Sequence, residues 1–173
     1  SAAVYARPRI TDPEIWAEKE YIGVNMGMFC RHEKRFDLAE GPRDLAEGLH
    51  LIPDRVKHEQ SLVAETAEGL VVLNSCCHAG VVKILTQLSE QFPGTPIRAV
   101  LGGFHLMGKE GVTTLGPTPE KVRSIAAALR DDLKVQDIYT GHCTGDPAYA
   151  LLEEELGDRL HHLTAGAVYE FAD

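Results

Sequence analysis

The chain has 173 residues, 44% hydrophobic and 25% charged, enough for one domain with its own core and no disulfide staples. Seventeen Lys and Arg against twenty-six Asp and Glu give a formal charge of −9, with no basic stripe for nucleic acid. Disorder, collagen and coiled coil are excluded, and no apolar run reaches the roughly 20 residues of a membrane helix.

Residues 1–57 scatter Pro, Gly and charge with little periodicity, so a single domain over 1–173 is expected, with an irregular lead-in followed by a regular α/β part over 58–173. Ser61–Thr66 and Leu70–Leu73 are β-rich runs joined by Ala67-Glu68-Gly69, the pattern of a short hairpin. Val81, Ile84, Leu85, Leu88 and Phe92 then recur at helical spacing until Pro93-Gly94. Ile97–Leu101 is a strand ending in Gly102-Gly103. Thr118 is placed as N-cap of a second helix, with Pro119 at its first position and Val122, Ile125, Leu129 and Leu133 as its apolar stripe. Val135–Thr140 is the next strand, and Asp146 as N-cap with Pro147 opens a third helix that Gly157 closes. Leu160–Leu163 and Ala167–Phe171 are expected as closing strands. The order β-β-α-β-α-β-α-β-β is that of a layered α/β domain.

Four cysteines (Cys30, Cys76, Cys77, Cys143) are too few and too poorly spaced for a secreted disulfide framework. The N-terminus lacks the basic-then-apolar layout of a signal peptide, and the cytoplasm is the expected compartment.

Each strand-to-helix junction carries a histidine just past the strand. The three junctions read Ser75-Cys76-Cys77-His78-Ala79-Gly80, Gly102-Gly103-Phe104-His105-Leu106 and Thr140-Gly141-His142-Cys143-Thr144-Gly145. Ligands bind α/β sheets at the carboxyl ends of their strands. Small neighbours let the backbone turn sharply there. Three imidazoles converging on one point are the ligand set of a catalytic zinc with an open fourth position. Against this stands the ordinary fate of a loop histidine, which is structural or incidental. The threefold repetition favours His78 and His142 as ligands, while His105 is balanced between pocket wall and substrate donor. His32, His50, His58, His161 and His162 keep the bland reading, the last two solvated on an edge strand. A thiolate nucleophile beside His78 or His142 is a competing idea. Sequence neighbours on a turn point apart, however, so these cysteines read better as small residues filling tight turns.

The run Leu70–Gly80, then Gly102–Leu106, then Tyr139–Gly145 resembles the C-terminal half of a metallo-β-lactamase-fold protein. The branch it resembles is the one named after dihydropterin–ribofuranosylaminobenzene phosphate synthase. Val4-Tyr5-Ala6-Arg7-Pro8 is similar to the segment after that family's metal-binding helix, and Glu59-Gln60-Ser61-Leu62-Val63 to the strand before the hairpin. The resemblance implies part of an αβ/βα sandwich, with His78 and His142 as metal ligands and His105 in the pocket. The family's His-x-His-x-Asp-His motif is absent, so the expected metal site is incomplete. Asp12, Asp54 and Asp146 are not obvious substitutes.

The function so implied is a metal-dependent hydrolase or transferase acting on a small anionic or pterin-like substrate. Its cofactor would be zinc, or iron or manganese, sub-stoichiometric or absent in this chain. The alternative is a non-catalytic remnant or binding subunit that needs a partner. Strands that read as buried on both faces imply a homo-oligomer or a separate N-terminal half.

Overall fold

The computed structural model describes residues 15–18, 30–31, 36–39, 41–56 and 59–171. The Val4–Pro8 segment, Asp12, His32 and His58 lie outside them. The strands are β1 (Ile15–Glu18), β2 (Phe36–Ala39), β3 (Arg43–Ala46), β4 (Leu49–Pro53), β5 (Gln60–Thr66), β6 (Gly69–Leu73), β7 (Ile97–Gly102), β8 (Met107–Gly108), β9 (Gly111–Leu115), β10 (Asp137–Thr140) and β11 (Leu160–His162). Among the described residues the helices are α1 (Val81–Gln91), α2 (Pro119–Ala127) and α3 (Asp146–Leu156), and Cys30 and Arg31 are also helical. Among the described residues, no helix is long and apolar enough to cross a membrane.

Seven strands form one mixed sheet in the order β11-β10-β7-β6-β5-β4-β3. The four from β6 to β11 run parallel, and β5, β4 and β3 join them antiparallel. Strands β1 and β2 form a separate parallel pair. The register lines up one residue per strand across the sheet. His50, Val63, Val72, Val100, Ile138 and Leu160 make one row, and Val63 through Leu160 in it belong to the main core with the three helices. The neighbouring row, on the other face, is Leu51, Leu62, Leu73, Leu101, Tyr139 and His161. One-residue alternation between these rows is the physical reason that β6 reads as an unbroken apolar run.

Each helix forms where its stripe can be buried against the first row. In α1, Val81, Ile84, Leu85 and Leu88 are buried, and the chain turns away at Phe92, whose N–H donates to the Leu88 carbonyl. Burying each such side chain contributes roughly 1.5–3 kcal/mol before entropy is counted. Thr118 caps α2 as expected, its hydroxyl accepting from the Lys121 N–H at 3.3 Å. Beyond Ala127 the helix widens into a π-helical turn, Ala128–Asp132, which keeps Leu129 fully buried.

Several expectations need correction. The cap of α3 is Gly145, not Asp146, which is the first helical residue and makes no side-chain capping bond. Val135 and Gln136 precede β10 rather than belonging to it. Ala167–Phe171 is not a strand. It lies over the second face, where Tyr169 and Phe171 pack against Tyr139 with ring centroids 4.5 and 6.0 Å away. Aromatic area on the sheet replaces ladder hydrogen bonds there. The hairpin of β8 and β9 and the strands β1 to β4 are not legible in the sequence. Short, glycine-flanked or charge-interrupted runs carry little period-2 signal.

At the antiparallel edge, His50 is held between two carboxylates. Its Nδ1 lies 2.6 Å from Asp44 Oδ1 and its Nε2 2.8 Å from Glu65 Oε1. Burial pulls its pKa down, but hydrogen bonds from Asp44 and Glu65 outweigh that and leave it above 6.5. Only the imidazolium donates from both nitrogens. A raised folded-state pKa stabilises fully below the unfolded value and is lost as pH rises through the folded one. Unfolding free energy measured from about pH 6 to about pH 8 is therefore expected to fall through this window. His50→Gln should flatten that part of the slope; an unchanged slope in the variant would contradict the assignment.

Candidate functional site

Strands β6, β7 and β10 lie side by side and parallel, so the segments after them open from one sheet edge. These segments carry His78, His105 and His142. They are tied to one another by the backbone. The Asn74 N–H donates to the Leu101 carbonyl at 2.9 Å, the Gly103 N–H to the Ser75 carbonyl at 2.9 Å, and the Leu106 N–H to the Cys143 carbonyl at 3.0 Å. Two buried hydroxyls complete the tie. Thr140 donates to the Gly102 carbonyl at 2.8 Å, which leaves Thr144, 2.6 Å away, to donate to Thr140. Thr144 in turn accepts from the Phe104 N–H at 3.0 Å.

This interlock leaves no space beside β7. A Cβ on Gly102 would collide with the Asn74 carbonyl, and one on Gly103 would come within 2.5 Å of the Cys143 sulfur. Glycine is required at both positions by close approach. The same crowding strains the loops. Cys77, His105 and His142 have φ values of 47°, 53° and 50°, a region that costs non-glycine residues about 1–2 kcal/mol each. Left-handed residues held against that cost cluster at functional sites.

The first turn is built by Asn74, whose Oδ1 accepts from the Cys77 N–H at 2.9 Å and whose amide donates to Ser61 Oγ at 3.0 Å. Cys77 is thereby buried, at 1% exposure, and His78 emerges beside Glu59. Glu59 is itself buried. Its Oε2 accepts from the His78 N–H at 2.6 Å, and its Oε1 lies 2.7 Å from His78 Nδ1 in an ion-pair contact outside hydrogen-bonding alignment. A carboxylate facing Nδ1 leaves Nε2 as the free nitrogen of His78. The His105 ring stands edge-on to that of His78, with centroids 4.4 Å apart.

His142 groups differently from the three-imidazole expectation. Its ring nitrogen and the sulfurs of Cys76 and Cys143 all lie within 4.8 Å of one another. Among the described residues this is the one group of three or more potential ligands so close together. Cys143 is buried and Cys76 half-buried. Burial pushes the Cys77 thiol well up and the Cys143 thiol to about 11, with the neighbouring Cys76 adding to the latter. Burial thus disfavours the thiolate form of both when no cation is near.

Two further described histidines, His161 and His162, are engaged in packing. His161 bonds Asp137 Oδ1 at 2.8 Å and stacks on Tyr139, and His162 stacks on Tyr149. Glu59 escapes sequence reasoning as a site residue because it precedes a strand without a motif of its own.

The chain matches no established protein-family profile. Over 125 residues it is 31% identical to 7,8-dihydropterin-6-methyl-4-(beta-D-ribofuranosyl)-aminobenzene-5'-phosphate synthase of Methanocaldococcus jannaschii, a match covering 72% of this chain. The chain spans 40% of that relative's length. A solved structure described as a metal-dependent hydrolase of the β-lactamase superfamily superposes with a TM-score of 0.75 at 24% identity. That superposition covers 91% of this chain and 71% of the other. The curated relative bears the name of the branch that the strand-end motifs resemble.

Gly102→Ala is expected to destabilise the fold by about 1–3 kcal/mol, since its Cβ meets backbone that cannot rotate away. Chemical denaturation measures it. A loss of under about 0.5 kcal/mol, the size of an ordinary surface change, would contradict the interlock.

Proposed function

Starting from a chain that has the metallo-β-lactamase fold, we propose that it carries part of a metal-dependent hydrolase or transferase centre for a small anionic or pterin-like substrate. The observation that supports this best is the gathering of imidazole and sulfur donors where three parallel strands end. The pterin-like substrate is suggested by the name of the curated relative.

His78 and His142 would hold the metal. Their chemistry fits one: Glu59 occupies the Nδ1 side of His78 and leaves Nε2 to ligate, and His142 stands with two soft donors. When bound, zinc or iron supplies Lewis acidity to a carbonyl or phosphoryl oxygen. Glu59 faces Nδ1 and bonds the backbone N–H of His78, so it would orient the ring, the usual part of a buried carboxylate behind a ligating histidine. His105, in contact with the His78 ring, is placed to donate a hydrogen bond to substrate or to move a proton. The interlocked loops hold these groups in a fixed arrangement, so little reorganisation remains to be made on binding. Further donors come, in this reading, from a second copy of the chain or from a separate N-terminal segment.

Metal content of the untagged chain is expected near one equivalent per protomer, and lost in His78→Ala and His142→Ala. Glu59→Gln should weaken metal affinity by about 10–100-fold without removing the site. No zinc, iron or manganese in the parent chain would overturn the proposal. Light scattering should give a particle heavier than 18.9 kDa; a clean monomer of that mass would contradict the association.

A further inference from the structure

We propose that Cys76, His142 and Cys143 form a sulfur-rich position within this centre, selective for a thiophilic d-block dication such as zinc over magnesium or manganese. The proposal deepens the reading above and rests on it only for the presence of a cation.

Three observations carry it. The three donor atoms come from two separate loops, and yet all lie within 4.8 Å of one another. Tetrahedral zinc with Zn–S bonds of about 2.3 Å holds two sulfurs about 3.8 Å apart, so the loops need close by no more than about 1 Å. The two adjacent cysteines also have different environments. Cys77 fills the turn, buried at 1% exposure with its N–H on Asn74. Cys76 is half-buried and faces the β10 loop, its carbonyl 3.9 Å from the Cys143 sulfur. A turn needs one small buried residue, and Cys77 meets that need without Cys76. Finally, space for the Cys143 sulfur depends on the absence of a side chain at Gly103, where a Cβ would lie 2.5 Å from it. His142 reaches the same group only through a left-handed backbone, with φ of 50°.

The chemistry is ligand exchange without electron transfer. Each thiol loses its S–H proton to solvent, two metal–sulfur bonds form, and neutral His142 adds a nitrogen bond. Two thiolates neutralise a dication, so the assembled site carries no net charge into its half-buried position. Soft sulfur donors favour zinc, cobalt or cadmium, whereas magnesium and manganese prefer oxygen.

The test is a titration of the full, reduced chain with cobalt(II), followed by near-ultraviolet absorption. A sulfur-to-cobalt charge-transfer band is expected, weakened in Cys76→Ser and in Cys143→Ser and gone in the double variant. It should be unchanged in Cys30→Ser. Circular dichroism confirms that each variant is folded, and Cys76→Ser, at the half-exposed position, keeps the test open if Cys143→Ser unfolds. Zinc should abolish the band at one equivalent, and a large excess of magnesium or manganese should leave it. Cobalt bound without the band, a band surviving the double variant, or no cobalt bound would each overturn the proposal. If the band is missing while bound cobalt is still lost in His78→Ala, the centre stands and only the sulfur ligation fails.

Discussion

The crowding at the end of β7 is the constraint on which the site depends. Gly102 and Gly103 lie between the turn after β6 and the turn after β10, with the Asn74 carbonyl on one side and the Cys143 sulfur on the other. Because no side chain separates the three segments, their backbones bond directly, and the Thr140–Thr144 hydroxyl pair bonds both Gly102 and Phe104. Both hydroxyls are fully buried. Losing one partner would leave the other unsatisfied at a cost of about 1–3 kcal/mol. The interlock therefore fixes loop positions far more firmly than exposed loops are usually held.

Strain and charge follow from that tightness. Of the four described non-glycine residues with positive φ, three are Cys77, His105 and His142. Each belongs to one of the interlocked segments. The core built by α1, α2 and α3 on the sheet offsets this cost, since Leu85, Leu88, Leu129 and Leu152 are among its fully buried members. Glu59 is the electrostatic counterpart. A buried carboxylate is costly unless paired, and here it is paired with the backbone and ring of His78. Orientation of that imidazole is thus coupled to the burial of the strand in which Glu59's neighbours lie.

Much of this architecture is legible in the sequence. The α/β order, the β5–β6 hairpin, the bounds of α1 and the Thr118 cap follow from periodicity and cap chemistry, which are local. The three histidine-bearing strand ends are legible because glycine and small residues mark sharp turns. What is not legible depends on distant partners. Cys76 and Cys143 are 67 positions apart in sequence, and only the parallel pairing of β6, β7 and β10 brings their loops together. Glu59 lies 19 positions before His78, and nothing local shows that it will face Nδ1. Ala167–Phe171 has the composition of a strand, but Tyr169 and Phe171 lie across the sheet face against Tyr139, a distant partner that local pattern does not reveal.

The central claim is that the strand-end loops assemble a cation site. Anomalous diffraction at the zinc edge, from crystals of the reduced chain grown with zinc, tests it most directly. The account predicts one strong peak at the carboxyl ends of β6, β7 and β10, among His78, His142 and the sulfurs of Cys76 and Cys143. A strong peak elsewhere, with this position blank, would contradict it.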